Sequence, residues 1–108
     1  MDIVCVPLAP TGDIDPRWGR AHCVAVAEVV DGVIDSWHET TVAWDIEHDQ
    51  GTEGAHHARI ARFLLDNRVN VVAAQHVGAG MQRMLESMGI RLVAGMTGNA
   101  HEAVAQLR

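Results

Sequence analysis

The side chains best suited to chemistry in this sequence are its seven histidines, because neutral imidazole is the commonest protein metal ligand. His76 is the most informative of them. It lies between an apolar run, Val69 to Ala74, and the two glycines Gly78 and Gly80. His56 and His57 form an adjacent pair at the start of a helical pattern, His48 lies in a polar stretch, and His22, right after WGRA, is the next candidate contributor. A second group is Arg17-Trp18-Gly19-Arg20, in which two guanidiniums can hold an anion and Gly19 permits close backbone approach. Arg17 and Arg20 can equally pair with Asp13 and Asp15 in a surface ion network.

Other chemistries lack their parts. No serine, cysteine and histidine grouping suggests covalent catalysis, since Ser36 falls in a strand and Ser87 near a helix end. Two-metal hydrolysis needs carboxylates converging on ions about 4 Å apart. Asp2, Asp13, Asp15 and Glu28 are not placed for that. Cys5 and Cys23 make neither a CxxC pair nor a disulfide framework and read as reduced core residues, facing one another if strands one and two pair.

The elements that must position these residues follow from periodicity. Asp2 to Pro7 reads as a strand, closed by a proline- and glycine-punctuated loop to about Gly19. His22–Val30 and Val33–Thr41 are strands joined by the hairpin turn Asp31-Gly32. Ala43 to Gly54 is polar and reads as an exposed loop, and Ala55 to Asn67 as a helix whose first turn holds His56 and His57, with Ala58, Ala61, Leu64 and Leu65 inward. The run Val69 to Ala74 is a strand covered on both faces. A helix follows from Met81 to Met88, its methionines serving as core filler, then a strand at Ile90 to Ala94 and a last helix capped by Asn99. The expected fold is α/β, a mixed five-stranded sheet in the order 3-2-1-4-5 with about three helices. Strands one and four then send their outgoing loops to the same edge, bringing the WGRA segment, His76 and the His56-His57 helix together where open α/β sheets bind ligands.

Composition bounds the rest. At 108 residues and 48% hydrophobic content, one domain over 1–108 is expected. Fourteen acidic residues against eight arginines give a formal charge of -6, which argues against nucleic-acid binding. No apolar run approaches the roughly 20 residues that span a bilayer, so neither membrane nor export is expected, and the location reads as cytoplasmic.

WGRA (Trp18 to Ala21), the glycine-then-histidine helix start at Gly54 to His57, and the strand, Gly-x-Gly and helix ending in Met88-Gly89-Ile90 together resemble the dinitrogenase iron-molybdenum cofactor biosynthesis family. Its members are small NifX-like and NafY-like domains with a ribonuclease-H-like three-layer fold. The resemblance implies a non-enzymatic carrier for an iron-sulfur or molybdenum-containing cluster, passed between donor and acceptor proteins by a monomer or weak homodimer. The resemblance places Arg17, Trp18, Gly19, Arg20, one of His56 and His57, and Gly78 at the site, and the leading reading of the whole set, Arg17, Trp18, Gly19, Arg20, His56, His57, His76 and Gly78, takes His76 and one of His56 and His57 as metal ligands. His76 departs from the pattern, standing where the family has a glycine, and so either adds a ligand or blocks the site. Imidazole ligation also suits a single Zn, Ni or Cu ion, and an adaptor that has lost its ligand is a third reading.

Overall fold

A computed structural model describes residues 1–107. Strand β1 (Asp2–Leu8) is the axis of the sheet. It pairs antiparallel with β2 (Cys23–Val30), which pairs antiparallel with β3 (Val33–Thr41). On its other side β1 runs parallel to β4 (Val71–Ala73), and β4 runs parallel to β5 (Arg91–Val93). The order is 3-2-1-4-5, as the sequence predicts. Asp31 and Gly32 both take positive φ, 51° and 77°, which is the geometry a tight hairpin requires.

Among the described residues four helices cover the sheet: α1 (Trp44–Glu47), α2 (Glu53–Asp66), α3 (Ala79–Ser87) and α4 (Ala100–Ala105). A single 3-10 turn spans Trp18–Arg20. One face of the sheet, carrying Cys5, Val24 and Val72, packs against Ile60 and Leu64 of α2 and Met81 and Leu85 of α3. The opposite face, with Val4, Val6, Ala25 and Val71, packs against Ala100 and Val104 of α4 and Ile14 of the loop after β1. Met81, Met84 and Met88 are core filler, as expected. Among the described residues no helix is long and apolar enough to cross a membrane.

Four details depart from the sequence reading. The expected loop from Ala43 to Gly54 contains α1, because Trp44 is 2% exposed and stacks edge-on against Trp18 and Phe63 at 5.3 and 5.7 Å. Burying an aromatic of that size outweighs the polar character of its neighbours. Second, α2 begins at Glu53, where Thr52 accepts a hydrogen bond from the Ala55 N–H, so His56 and His57 lie in its second turn. Third, Ala58 and Leu65 face outward, Leu65 at 63% exposed; Ile60 and Phe63 share the inner stripe with Leu64. Fourth, Cys5 lies opposite Val26 and Cys23 opposite Leu8, so the cysteines are not partners and serve different faces.

Candidate cofactor-binding cleft

Because β1 and β4 are parallel neighbours, their outgoing chains leave at one edge of the sheet. The chain after β1 turns back through Leu8 and Ile14, ties Asp15 N–H to the Pro7 carbonyl, and crosses to the α2 side at Trp18. The chain after β4 runs through His76 to Gly78, which starts α3. Between them and α2 opens a cleft of about 620 Å³, within the range of small-ligand sites. Arg17, Trp18, Gly19, Arg20, His56, His57, His76 and Gly78 all line it. Residues from three separate segments, selected by type and spacing, therefore meet on one surface.

Their environments differ. His56 is 3% exposed, and both ring nitrogens are engaged: Nε2 lies 2.7 Å from the Gly19 carbonyl and Nδ1 lies 3.4 Å from an Arg59 guanidinium nitrogen. Since the guanidinium can only donate, Nδ1 accepts and Nε2–H donates, which specifies a neutral tautomer. His56 thus ties the Trp18–Arg20 turn to α2. His57 is half-buried, with Nε2 3.8 Å from a Glu53 carboxylate oxygen. Its Cε1 would lie 3.2 Å from a β-carbon at Gly80, so the absence of a side chain at Gly80 is what lets α3 approach this ring. His76 is exposed at the mouth, and neither ring nitrogen has a protein partner among the described residues.

The cationic groups also divide. Arg17 is tethered to the buried Asp15, whose carboxylate accepts the Arg17 backbone N–H at 2.9 Å and lies 3.5 Å from Nε. Half of the anticipated ion network therefore forms. Arg20 is exposed with no acidic partner among the described residues. Gly78 caps α3 without a side chain, and the first intrahelical bond is donated by Gln82 to the Gly78 carbonyl. The N–H groups of the first turn, from Ala79 to Met81, are left to the cleft they line.

Two contributors were not selected from the sequence. His48, on the residues following α1, lines the cleft with its ring centroid 5.0 Å from that of His56. Glu53 borders the same space beside His57. His22 pairs instead with Asp45, Nδ1 to Oδ1 at 2.9 Å, while His38 and His101 are exposed, as expected.

The donor set limits what the cleft can hold. Cys5 is fully buried in the core, which pushes its thiol far above the ordinary range, and Cys23 packs toward the opposite face beside Thr41. Neither lines the cleft, so thiolate ligation there is not available. Among the described residues no three His, Cys, Asp or Glu side chains converge to hold a metal ion. What the cleft offers is separate imidazoles, arginines and open backbone donors, which fit a group that brings its own anionic ligands.

Solved structures with this fold include PH0822, 16% identical with a TM-score of 0.76, covering 94% of this chain and 86% of that one. The apo form of the orange protein from Desulfovibrio gigas is 22% identical with a TM-score of 0.71, covering 96% and 84%. A Thermotoga protein described as a NifB candidate of the DUF35 family is 20% identical with a TM-score of 0.65, covering 96% and 84%. No curated protein matches the sequence significantly. The profile of the dinitrogenase iron-molybdenum cofactor family matches residues 2–108, and the chain belongs to that family.

Proposed function

We propose that the chain is a non-enzymatic carrier for a preassembled metal-sulfur cluster, iron-sulfur or molybdenum-containing, of the nitrogenase-cofactor-biosynthesis type. Residues 1–108 act as one carrier domain, cytoplasmic, working as a monomer or weak homodimer between cluster donor and acceptor proteins. The observation that carries this reading is the mismatch between many donors and no converging metal site. A bare Zn ion in a structural site takes four protein ligands in a tetrahedron, and even a catalytic site supplies three. A cluster carries its own anionic sulfides, which arginines and open backbone N–H groups can hold alongside imidazoles at its rim.

In this reading His57 and His76 ligate, because their ring nitrogens are available where those of His56 are spent on Gly19 and Arg59. Arg20, Arg17 and the open start of α3 hold the anionic sulfides.

The test is anaerobic addition of iron and sulfide, with and without molybdate, to protein purified without a histidine tag. Elemental analysis and visible spectra give the readout. Stoichiometric metal with sulfide-to-metal charge-transfer bands, lost in the His57→Ala, His76→Ala double variant, is the expected result. A colourless protein taking up one Zn or Ni would replace this reading with simple ion binding, and no uptake would favour the ligand-free adaptor.

A further inference from the structure

The segment bearing His48 is held in two unequal halves. Its first half is fixed by the core: Trp44 is buried between Trp18 and Phe63, its N–H donates to the Ala21 carbonyl at 3.0 Å, and Asp45 pairs with His22. The second half, Glu47 to Gly51, contributes no buried apolar side chain. It is held across to α2 by the hydrogen bonds of Arg59 and by the edge-on contact of the His48 ring with that of His56. The Arg59 guanidinium donates to the Glu47 carbonyl at 3.1 Å and to the Gln50 carbonyl at 2.9 Å, and its Nε lies 3.9 Å from the Glu47 carboxylate. The same guanidinium reaches His56 Nδ1, so it joins the segment to the ring that anchors Gly19. The chain leaves this bracket at Gly51, whose φ of 85° suits a reversal into α2.

We infer that Arg59 is a positioning residue that sets His48 in the cleft, and that the His48 imidazole helps retain the cargo. Nδ1 of His48 faces Asp49 at 3.3 Å, Nε2 has no hydrogen-bond partner among the described residues, and the residue lines the cleft. A third imidazole on a segment held by hydrogen bonds, rather than by core packing, can be withdrawn without unfolding the domain. That is the property a carrier needs in order to release what it holds. The retention role rests on the carrier reading above; the bracket itself does not.

Two measurements separate them. In the metal-free protein, Arg59→Met keeps the side-chain stem and removes the donors. Hydrogen exchange at the His48 and Gln50 amides, which bond within this segment, should accelerate about tenfold, the size expected for losing two or three hydrogen bonds. Arg59→Lys should fall between, since an ammonium cannot span both carbonyls as the planar fork does. The Val42 and Trp44 amides, bonded to His22 and Ala21, should be unaffected and so report that the fold is intact. In protein loaded with iron and sulfide, transfer of iron to a chelator should be about tenfold faster in Arg59→Met and in His48→Ala. The double variant should be no faster than either, because the two residues act in one chain. Unchanged exchange at His48 and Gln50 overturns the bracket. Accelerated exchange with additive release rates overturns the role of His48. Absence of any loading with iron and sulfide sinks the carrier reading, and the retention role with it, while the exchange result still decides the bracket.

Discussion

The exits of β4 and β5 lie at the same edge of the sheet, each a short turn into a helix, yet they are built for opposite ends. After β5 the turn closes on itself: Asn99 Oδ1 accepts the Glu102 N–H at 2.9 Å, and the Ala100 N–H donates to the Gly12 carbonyl. After β4 the cap is Gly78, which offers no side chain, and the first-turn donors of α3 remain open beside His76, Arg20 and His57. Closing a helix start with a side chain stabilises the fold, whereas leaving it open gives up that stability for anion affinity. The difference between one residue type and another at the cap therefore separates a turn closed by its own side chain from one left open on the cleft.

Exchanging the caps is the strongest way to break the comparison. Gly78 has φ -69° and ψ 162°, and a β-carbon there meets nothing within 4 Å, so Gly78→Asn fits without strain. It should raise stability by only a few tenths of a kcal/mol and weaken cluster uptake about tenfold, because the new side chain takes the donors the cargo would use. Urea unfolding and metal titration read the two effects, and unchanged uptake would show that the open turn plays no part in binding.

A smaller effect on uptake is expected from Gly80→Ala. The substitution favours α3 by up to about 1 kcal/mol in helix propensity. Its β-carbon would press on His57 at 3.2 Å, so the ring must shift by a few tenths of an ångström. Uptake should fall severalfold while thermal stability holds or rises, as titration and melting curves would show. At the closed turn, Asn99→Ala should cost about 1 kcal/mol, a fall of about 4–8 °C in Tm, with uptake unchanged.

Much of this arrangement was legible from residue order alone, and the reasons are local. The Asp31-Gly32 turn and the β-branched runs beside it specify a hairpin, and a strand covered on both faces must sit inside the sheet. From those, the edge at which WGRA and His76 meet follows by topology. The role of His56 did not follow, because it depends on hydrogen bonds to Gly19 and Arg59, one of them 37 residues away in sequence. Likewise α1 was hidden because a single buried Trp44 outweighs seven polar neighbours, a tertiary effect without periodic signature. The start of α2 was read late because Gly54 weakens the helical pattern just where Thr52 caps it.

The smallest effect concerns acid. The hydrogen bond from His22 holds the Asp45 carboxyl below the usual carboxylate range. A carboxylate depressed in the folded state stabilises it above its ordinary pKa, and the contribution is lost as pH falls through the lower folded value. Between neutral pH and pH 5 the α1 amides should exchange with constant protection, and that protection should weaken only below about pH 4. Because the half-buried Asp45 pairs with His22 at the surface, the change should be confined to α1, leaving both strand exits as they are.

The most direct test of the central claim is the histidine-ring nitrogen spectrum of ¹⁵N-labelled protein before and after anaerobic loading with iron and sulfide. The account predicts that the His57 and His76 ring nitrogens move to ligated values, while His56 keeps its Nε2–H tautomer and its bond to Gly19. Loaded protein in which His57 and His76 stay as in the metal-free state would contradict it.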